Sequence, residues 1–178
     1  MRMTFDEYLS YDLNGNITNL KRYWGDDSPT GTFPADELEY TYFTGSNRLK
    51  NVSDSTNSSI GFDDGNTNPA LDDYAYDENG NMIKDRNKGI TNIVYNHLNL
   101  PVQIVWAANK KIEYLYNAAG GKVQKKVTNG ANIRTTDYLD GFQYNDDVLE
   151  FFPHPEGYVK ATLLNPNNNK YAYTDPLL

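Results

Sequence analysis

Two short runs of this chain look at first like cation loops. Asp12-Leu13-Asn14-Gly15-Asn16 and Asp77-Glu78-Asn79-Gly80-Asn81 each crowd side-chain oxygens into five positions, and hard cations such as calcium take oxygen ligands. The spacing argues against that chemistry. Glycine is the fourth residue of each run, whereas an EF-hand loop needs it sixth and needs a later bidentate Glu. Hairpin-turn chemistry accounts for every residue instead. His97 and His154 are the only histidines, and neither has a second His or a Cys at ligand spacing, so each reads as a loop or strand-edge residue. Asp36-Glu37 and Asp146-Asp147 are adjacent carboxylates, which on a strand point to opposite faces. A glycosidase-type acid/base pair must converge across a cleft, so these read as solvated turn charges. The sequence therefore nominates no catalytic residue, no metal ligand and no cofactor.

The elements that hold these residues repeat. Five stretches run an aromatic pair or a Tyr-Asp/Asn step into a polar turn and then an alternating strand: YLSYDLNGNITNL from Tyr8, YTYFTGSNRLKNV from Tyr40, YAYDENGNMIKD from Tyr74, IVYNHLNLPVQI from Ile93 and YLYNAAGGKVQKKV from Tyr114. Their marker residues Tyr11, Tyr42, Tyr76, Tyr95 and Tyr116 lie 31, 34, 19 and 21 residues apart. Internal periods of that order mean a stacked array. The expectation is one array over 1–178, with copies near 8–23, 40–52, 74–85, 93–105, 114–127 and 136–152, an unfinished copy at 171–178, and a polar excursion at 53–73. The unfinished copy suggests a piece of something longer.

Within a copy, Tyr74 and Tyr76 share a strand face, and Asn79-Gly80 reads as a two-residue type I′ turn, since both residues tolerate positive φ. Asn14-Gly15 and Gly120-Gly121 are expected to serve likewise, and Asp140-Gly141 turns the sixth copy. The paired tyrosines Tyr40/Tyr42, Tyr74/Tyr76, Tyr114/Tyr116 and Tyr171/Tyr173 predict a cross-strand ladder; a sugar-binding aromatic platform is the other reading. Trp24 and Trp106 read as core anchors or edge plugs. The excursion 53–73 is expected to be a flexible loop pinned by Ile60, Phe62 and Leu71, so that Gly65 tolerates a side chain better than Gly80 does. Turn clusters are expected in 25–33, around Pro29, and at 165–169.

Composition narrows the partners. With 16 Lys plus Arg against 24 Asp plus Glu, the net charge is -8 and the pI about 4.7, so nucleic-acid binding is not expected. Hydrophobic residues make up 38%, and the apolar bulk comes from 15 Tyr, 7 Phe and 2 Trp, which suits a sheet with a wet face. There is no cysteine, no apolar run of signal-peptide length and no membrane span. No stretch carries a sustained helical period.

The string Tyr-x-Tyr-Asp-x-x-Gly-Asn-(Leu/Met/Ile), which residues 74–83 follow at nearly every position, resembles the YD repeat of Rhs proteins, Tc-toxin C-component shells and teneurins. The stretch from DRNKGITNIVYNHLNLPVQI through YLYNAAGGKVQKKV to TDYLDGFQYNDDVLEFFPHPEGYVK looks like the last repeats before the core of Bacteroidetes-type Rhs proteins. The resemblance implies an all-β fold: antiparallel hairpins in a curved, spiralling sheet, an open segment of a β-cocoon. Its structural motif falls on Tyr11, Asp12, Gly15, Tyr40, Tyr42, Tyr74, Tyr76, Asp77, Gly80, Tyr95, Tyr114, Tyr116 and Gly120. The implied partners are the remaining repeats and core of the parent chain and an enclosed C-terminal effector, in a secreted or cell-surface toxin system whose export signal lies outside this segment. The family's Asp-Pro-x-Gly core and autocleavage aspartates do not follow at Asp175-Pro176-Leu177-Leu178, so no catalytic residue is carried over. Non-enzymatic scaffolding is the function this implies, with edge-to-edge self-association through open strands. The alternative is a glycan- or protein-binding module using the tyrosine-rich face.

Overall fold

A computed structural model describes residues 6–25, 32–56, 58–66, 68, 70–165 and 170–174. The Pro29 turn, most of the Asn cluster at 165–169 and the end of the unfinished copy lie outside the described residues. The chain is all-β and antiparallel: no described residue is helical, and among them no helix is long and apolar enough to cross a membrane. It divides into two compact units, Met1–Thr91 and Asn92–Leu178.

The first unit holds a four-stranded sheet, β1 (Glu7–Tyr11), β2 (Ile17–Gly25), β3 (Thr32–Tyr42) and β4 (Leu49–Asp54), in sequence order. A separate two-stranded hairpin follows, β5 (Tyr74–Tyr76) and β6 (Met82–Asp85). β3 explains the layering. Asp36 and Leu38 are buried and Tyr40 half-buried, while Glu37, Glu39 and Thr41 are exposed, the period-2 signature of a sheet with one wet face. Leu20 pairs with Leu38, and Tyr40 with Val52. Leu38, Val52 and Tyr74 form the core, with Phe62, Leu49, Tyr76 and Met82 packed against it.

The second unit is a nine-stranded meander: β7 (Asn92–Tyr95), β8 (Pro101–Ala107), β9 (Lys110–Tyr116), β10 (Lys122–Asn129), β11 (Asn132–Leu139), β12 (Phe142–Asn145), β13 (Val148–His154), β14 (Gly157–Asn165) and β15 (Lys170–Thr174). Only Ile93 and Ala161 are buried among its described residues. A sheet without a covering layer of its own must take its stability from cross-strand pairs. Such pairs are present: Phe142 stacks on Phe152 at 5.4 Å, Gln124 donates to Asp137 at 2.7 Å, and Gln103 donates to Glu113 at 3.3 Å.

The excursion 53–73 is pinned differently from expectation. Phe62 packs on the core, but Ile60 is 53% and Leu71 42% exposed. Buried carboxylates do the pinning. Asp36, 1% exposed, accepts the Phe62 amide and pairs with Arg22 at 2.5 Å. Asp54 accepts the Glu37 amide at 3.0 Å, and Asp73 accepts the Val52 amide at 2.7 Å and Asn66 Nδ2 at 2.7 Å. The Asp73 carboxylate thus satisfies a β4 amide where no further strand pairs. The loop lies flat on these groups: a Cβ at Gly61 would come within 2.0 Å of the Ala35 carbonyl oxygen, and one at Gly65 within 2.3 Å of that of Asn87. Gly65 is therefore no freer than Gly80, because backbone stands where its side chain would go.

Candidate functional site

The Asp or Asn and the glycine of the repeat motif serve one local use, the closing of a hairpin. The Asp12 carboxylate turns back into its own loop: Oδ1 accepts the amides of Asn14 and Asn16 at 2.8 and 2.9 Å, and Oδ2 accepts Asn16 Nδ2 at 2.8 Å. Asp77 repeats this with the Asn81 amide at 2.8 Å and Asn81 Nδ2 at 2.9 Å. Asn96 caps the amides of Leu98 and Leu100, and Asn117 those of Ala119 and Gly121. The hydrogen bond to Asn16 holds the Asp12 carboxyl below the usual range, and that to Asn81 does the same for Asp77. These oxygens face N–H donors, so turn closure rather than cation binding is what they are placed for.

The turn type differs from the expected type I′. The amide of the fourth residue returns to the first, Gly15 to Asp12, Gly80 to Asp77 and Gly120 to Asn117, at 3.0 to 3.1 Å. Only that fourth residue is left-handed: Gly15 at φ +83°, Gly80 at +86°, Gly120 at +82°, with Asn99 at +57° in the same place. This is a type I turn followed by a glycine bulge. The Asp or Asn at the first position selects it by capping amides ahead in the loop. Phe43, at that position in the second copy, has no such oxygen, and the Tyr42–Leu49 closure is one residue longer than Tyr11–Ile17 or Tyr76–Met82. Two-residue turns with both residues left-handed do occur, at Asp140-Gly141 and Asp146-Asp147.

Each turn carries a register shift beside the second tyrosine, at Tyr11, Tyr42, Tyr76, Tyr95 and Tyr116. A bulge re-aims the side chain next to it, and the consequence is a recurrent bond between copies. Tyr42 donates its hydroxyl to the Ile17 carbonyl at 2.7 Å, Tyr76 to Leu49 at 3.0 Å and Tyr116 to Pro101 at 3.0 Å. Ile17, Leu49 and Pro101 are the first residues of β2, β4 and β8, the return strands of the preceding copies. Burial raises the pKa of all three hydroxyls, which keeps them as donors.

The first tyrosines of the pairs do other things, so a uniform ladder is not what forms. Tyr74 is 7% exposed in the core, and burial pushes its hydroxyl up to about 12. Tyr40 packs beside it. Tyr114 lies 4.0 Å beneath the Lys122 ammonium and 6.3 Å from Tyr116. Tyr95 is half-buried at the end of β7, and Tyr11 is exposed at the end of β1.

The remaining candidates scatter. Asp36 is buried and Glu37 exposed, the latter paired with Lys21 and Ser55, so Asp36 is a structural carboxylate and not a solvated turn charge. Its partners Arg22 and Phe62 are distant in sequence, which is why its neighbours gave no signal. Asp146 and Asp147 are exposed turn residues. His97 is exposed beside Asn96, and His154 Nδ1 accepts the Glu156 amide at 3.3 Å in the β13–β14 turn. Trp24 is 45% exposed and is not a core anchor. A cleft of about 480 Å³ lies between Phe43, Arg48, Asp72, Tyr76 and Arg86, with the Arg48 guanidinium 5.8 Å above the Tyr76 ring. Among the described residues no three His, Asp or Glu side chains are grouped to hold a metal ion. No protein-family model matches the chain, and no curated protein matches it either.

Proposed function

We propose that this chain is a non-enzymatic segment of an Rhs-type, YD-repeat shell, and that its work is to extend a curved hairpin sheet which encloses or delivers a C-terminal toxin or effector. The observation that carries the reading is the recurrent tyrosine bond: Tyr42, Tyr76 and Tyr116 each tie one copy to the return strand of the copy before. A device that only joins neighbours serves an array of indefinite length, as repeat architectures require. The thin second unit, with two buried residues among those described, also suits a wall whose inner face meets other material. The secreted or surface setting and the absence of nucleic-acid partners follow the family resemblance and the net charge of -8.

The parent gene beyond residue 178 provides the test. An Rhs core followed by a variable C-terminal domain is the expected result, and a continuation with neither overturns the reading. A binding module for a glycan or protein segment is the second reading, favoured by the cleft that sets Arg48 and Arg86 beside Phe43 and Tyr76. Glycan-array signal lost on Arg48→Ala would support it.

A further inference from the structure

The second copy departs from the repeat motif at two positions, and both line the same cleft. One backbone bond closes the turn in three copies: the Asp12 amide donates to the Asn16 carbonyl at 2.9 Å, that of Asp77 to Asn81 at 2.9 Å, and that of Phe43 to Arg48 at 3.0 Å. In the first and third copies the two side chains at those positions also bond each other, with Asn16 Nδ2 and Asn81 Nδ2 donating to the aspartates. In the second copy a ring and a guanidinium replace that pair. Phe43 sets its ring edge-on to Tyr76, centroids 6.2 Å apart, and the Arg48 guanidinium lies 5.8 Å above the same Tyr76 ring. Both side chains line the cleft of about 480 Å³ in the first unit, and Arg86 lines it with them.

The cleft is positive in an acidic chain. Acidic residues outnumber basic ones by 24 to 16, yet among the described residues neither Arg48 nor Arg86 meets a carboxylate. Arg48 Nε donates to Ser46 Oγ at 3.3 Å, and Arg86 Nη1 donates to the Asp72 carbonyl oxygen. These acceptors are uncharged, so they hold each guanidinium in place without neutralising it. Asp72 is the acidic residue of the cleft wall, and the Lys50 ammonium stands 3.4 Å from its carboxylate. A guanidinium fork held in this way can take both oxygens of a carboxylate.

We propose that this cleft binds a carboxylate-bearing sugar, one uronate residue of a glycan, with its carboxylate at Arg48 and Arg86 and the C–H face of its ring against Phe43 and Ala75. That the ligand is a sugar rests on the glycan-binding reading given above; that it is an anion rests on the guanidiniums. Two guanidiniums against the one carboxylate of Asp72 leave the wall a single excess positive charge. A singly charged carboxylate matches that excess, whereas a phosphate dianion would add uncompensated charge to a chain of net charge -8, where like charges repel. An apolar wall with a few convergent polar groups is the usual make-up of a small-ligand site.

The test titrates methyl glucuronide and its neutral counterpart methyl glucoside separately into the full chain at low ionic strength, with the arginine Nε–H signals in NMR as the readout. The glucuronide should move the Arg48 and Arg86 signals, and the glucoside should not. Arg48→Gln should weaken the glucuronide about tenfold, the worth of one charge-assisted contact, and Arg48→Lys should recover only part, since it keeps the charge without the fork. Arg134→Gln, in the second unit, should change nothing. The urea midpoint of the Trp24 signal checks that the first unit of each variant is folded. Equal binding of the neutral glucoside, or unchanged glucuronide affinity in Arg48→Gln, overturns the proposal and leaves a neutral-glycan module standing. A capped glutamate that binds as tightly as the glucuronide overturns the sugar and assigns the cleft to peptide carboxylates. A glycan array silent to acidic and neutral sugars alike sinks the glycan-binding reading along with the proposal.

Discussion

Replacing single tyrosines by phenylalanine separates a bond between copies from a generic aromatic ladder. Tyr42→Phe, Tyr76→Phe and Tyr116→Phe keep the ring and delete a hydroxyl that sits 2.7 to 3.0 Å from a carbonyl oxygen. A net hydrogen bond is worth about 0.5 to 1.5 kcal/mol. The carbonyls lie on half-buried Ile17, Leu49 and Pro101, where water can partly replace the phenol, so the loss should sit near 1 kcal/mol and not at the roughly 3 kcal/mol of a fully orphaned acceptor. Tyr40→Phe and Tyr114→Phe are the controls, since neither hydroxyl finds a partner among the described residues, and each should cost under about 0.3 kcal/mol. The two tryptophans fall one in each unit, Trp24 in the first and Trp106 in the second. Single-Trp variants in urea therefore report the units separately. With m near 1 to 2 kcal/mol/M, each second-tyrosine change should lower its own unit's midpoint by about 0.5 to 1 M. Tyr42→Phe and Tyr116→Phe, in different units, should add; Tyr42 pairs with Leu49, the acceptor of Tyr76, so those two should couple. Equal losses at Tyr40 and Tyr42 would refute the reasoning and restore the ladder.

Gly61→Ala should destabilise the first unit at least as much as Gly80→Ala, because its Cβ meets the Ala35 carbonyl oxygen at 2.0 Å while Gly80 pays only for its φ of +86°, about 1 to 3 kcal/mol; urea melts of the pair decide, and a neutral Gly61→Ala would mean the excursion does not lie on β3. Tyr74 is an acid whose folded pKa is raised to about 12, so its contribution is complete below the unfolded value near 10 and is lost as pH rises through 12. Urea midpoints should fall between pH 9 and 11.5 more steeply in the native chain than in Tyr74→Phe. Asp36→Ala leaves the Phe62 amide without its acceptor and should cost about 1 to 3 kcal/mol, with faster hydrogen exchange at Phe62.

Much of the fold is legible because each copy writes its hairpin locally. The Asp or Asn, the glycine and the returning strand lie within a few residues of one another, and Asp77, Gly80 and Tyr76 all act inside one loop. Turn type is harder to read. Asn79-Gly80 looks like the dipeptide of a two-residue turn, but Asp77 two residues earlier caps the Asn81 amide and moves glycine to the bulge. The buried carboxylates are harder still. Asp36, Asp54 and Asp73 look like surface charge because the groups they satisfy, Phe62, Glu37 and Val52, are 26, 17 and 21 residues away. For the same reason the polar excursion 53–73 looks loose in sequence and is tied down in space. The second tyrosine's bond to the preceding copy has a sequence trace, its period, but the period alone does not distinguish a donor from a packed ring.

Protease digestion of the parent protein tests the central claim most directly. If these copies are joined as one wall of an enclosing shell, the domain downstream of residue 178 should survive a protease that cuts it quickly when expressed alone, and combining Tyr42→Phe, Tyr76→Phe and Tyr116→Phe should open the wall and restore cutting. Cutting of the downstream domain at the same rate in the intact parent, the triple variant and the isolated domain would contradict the account.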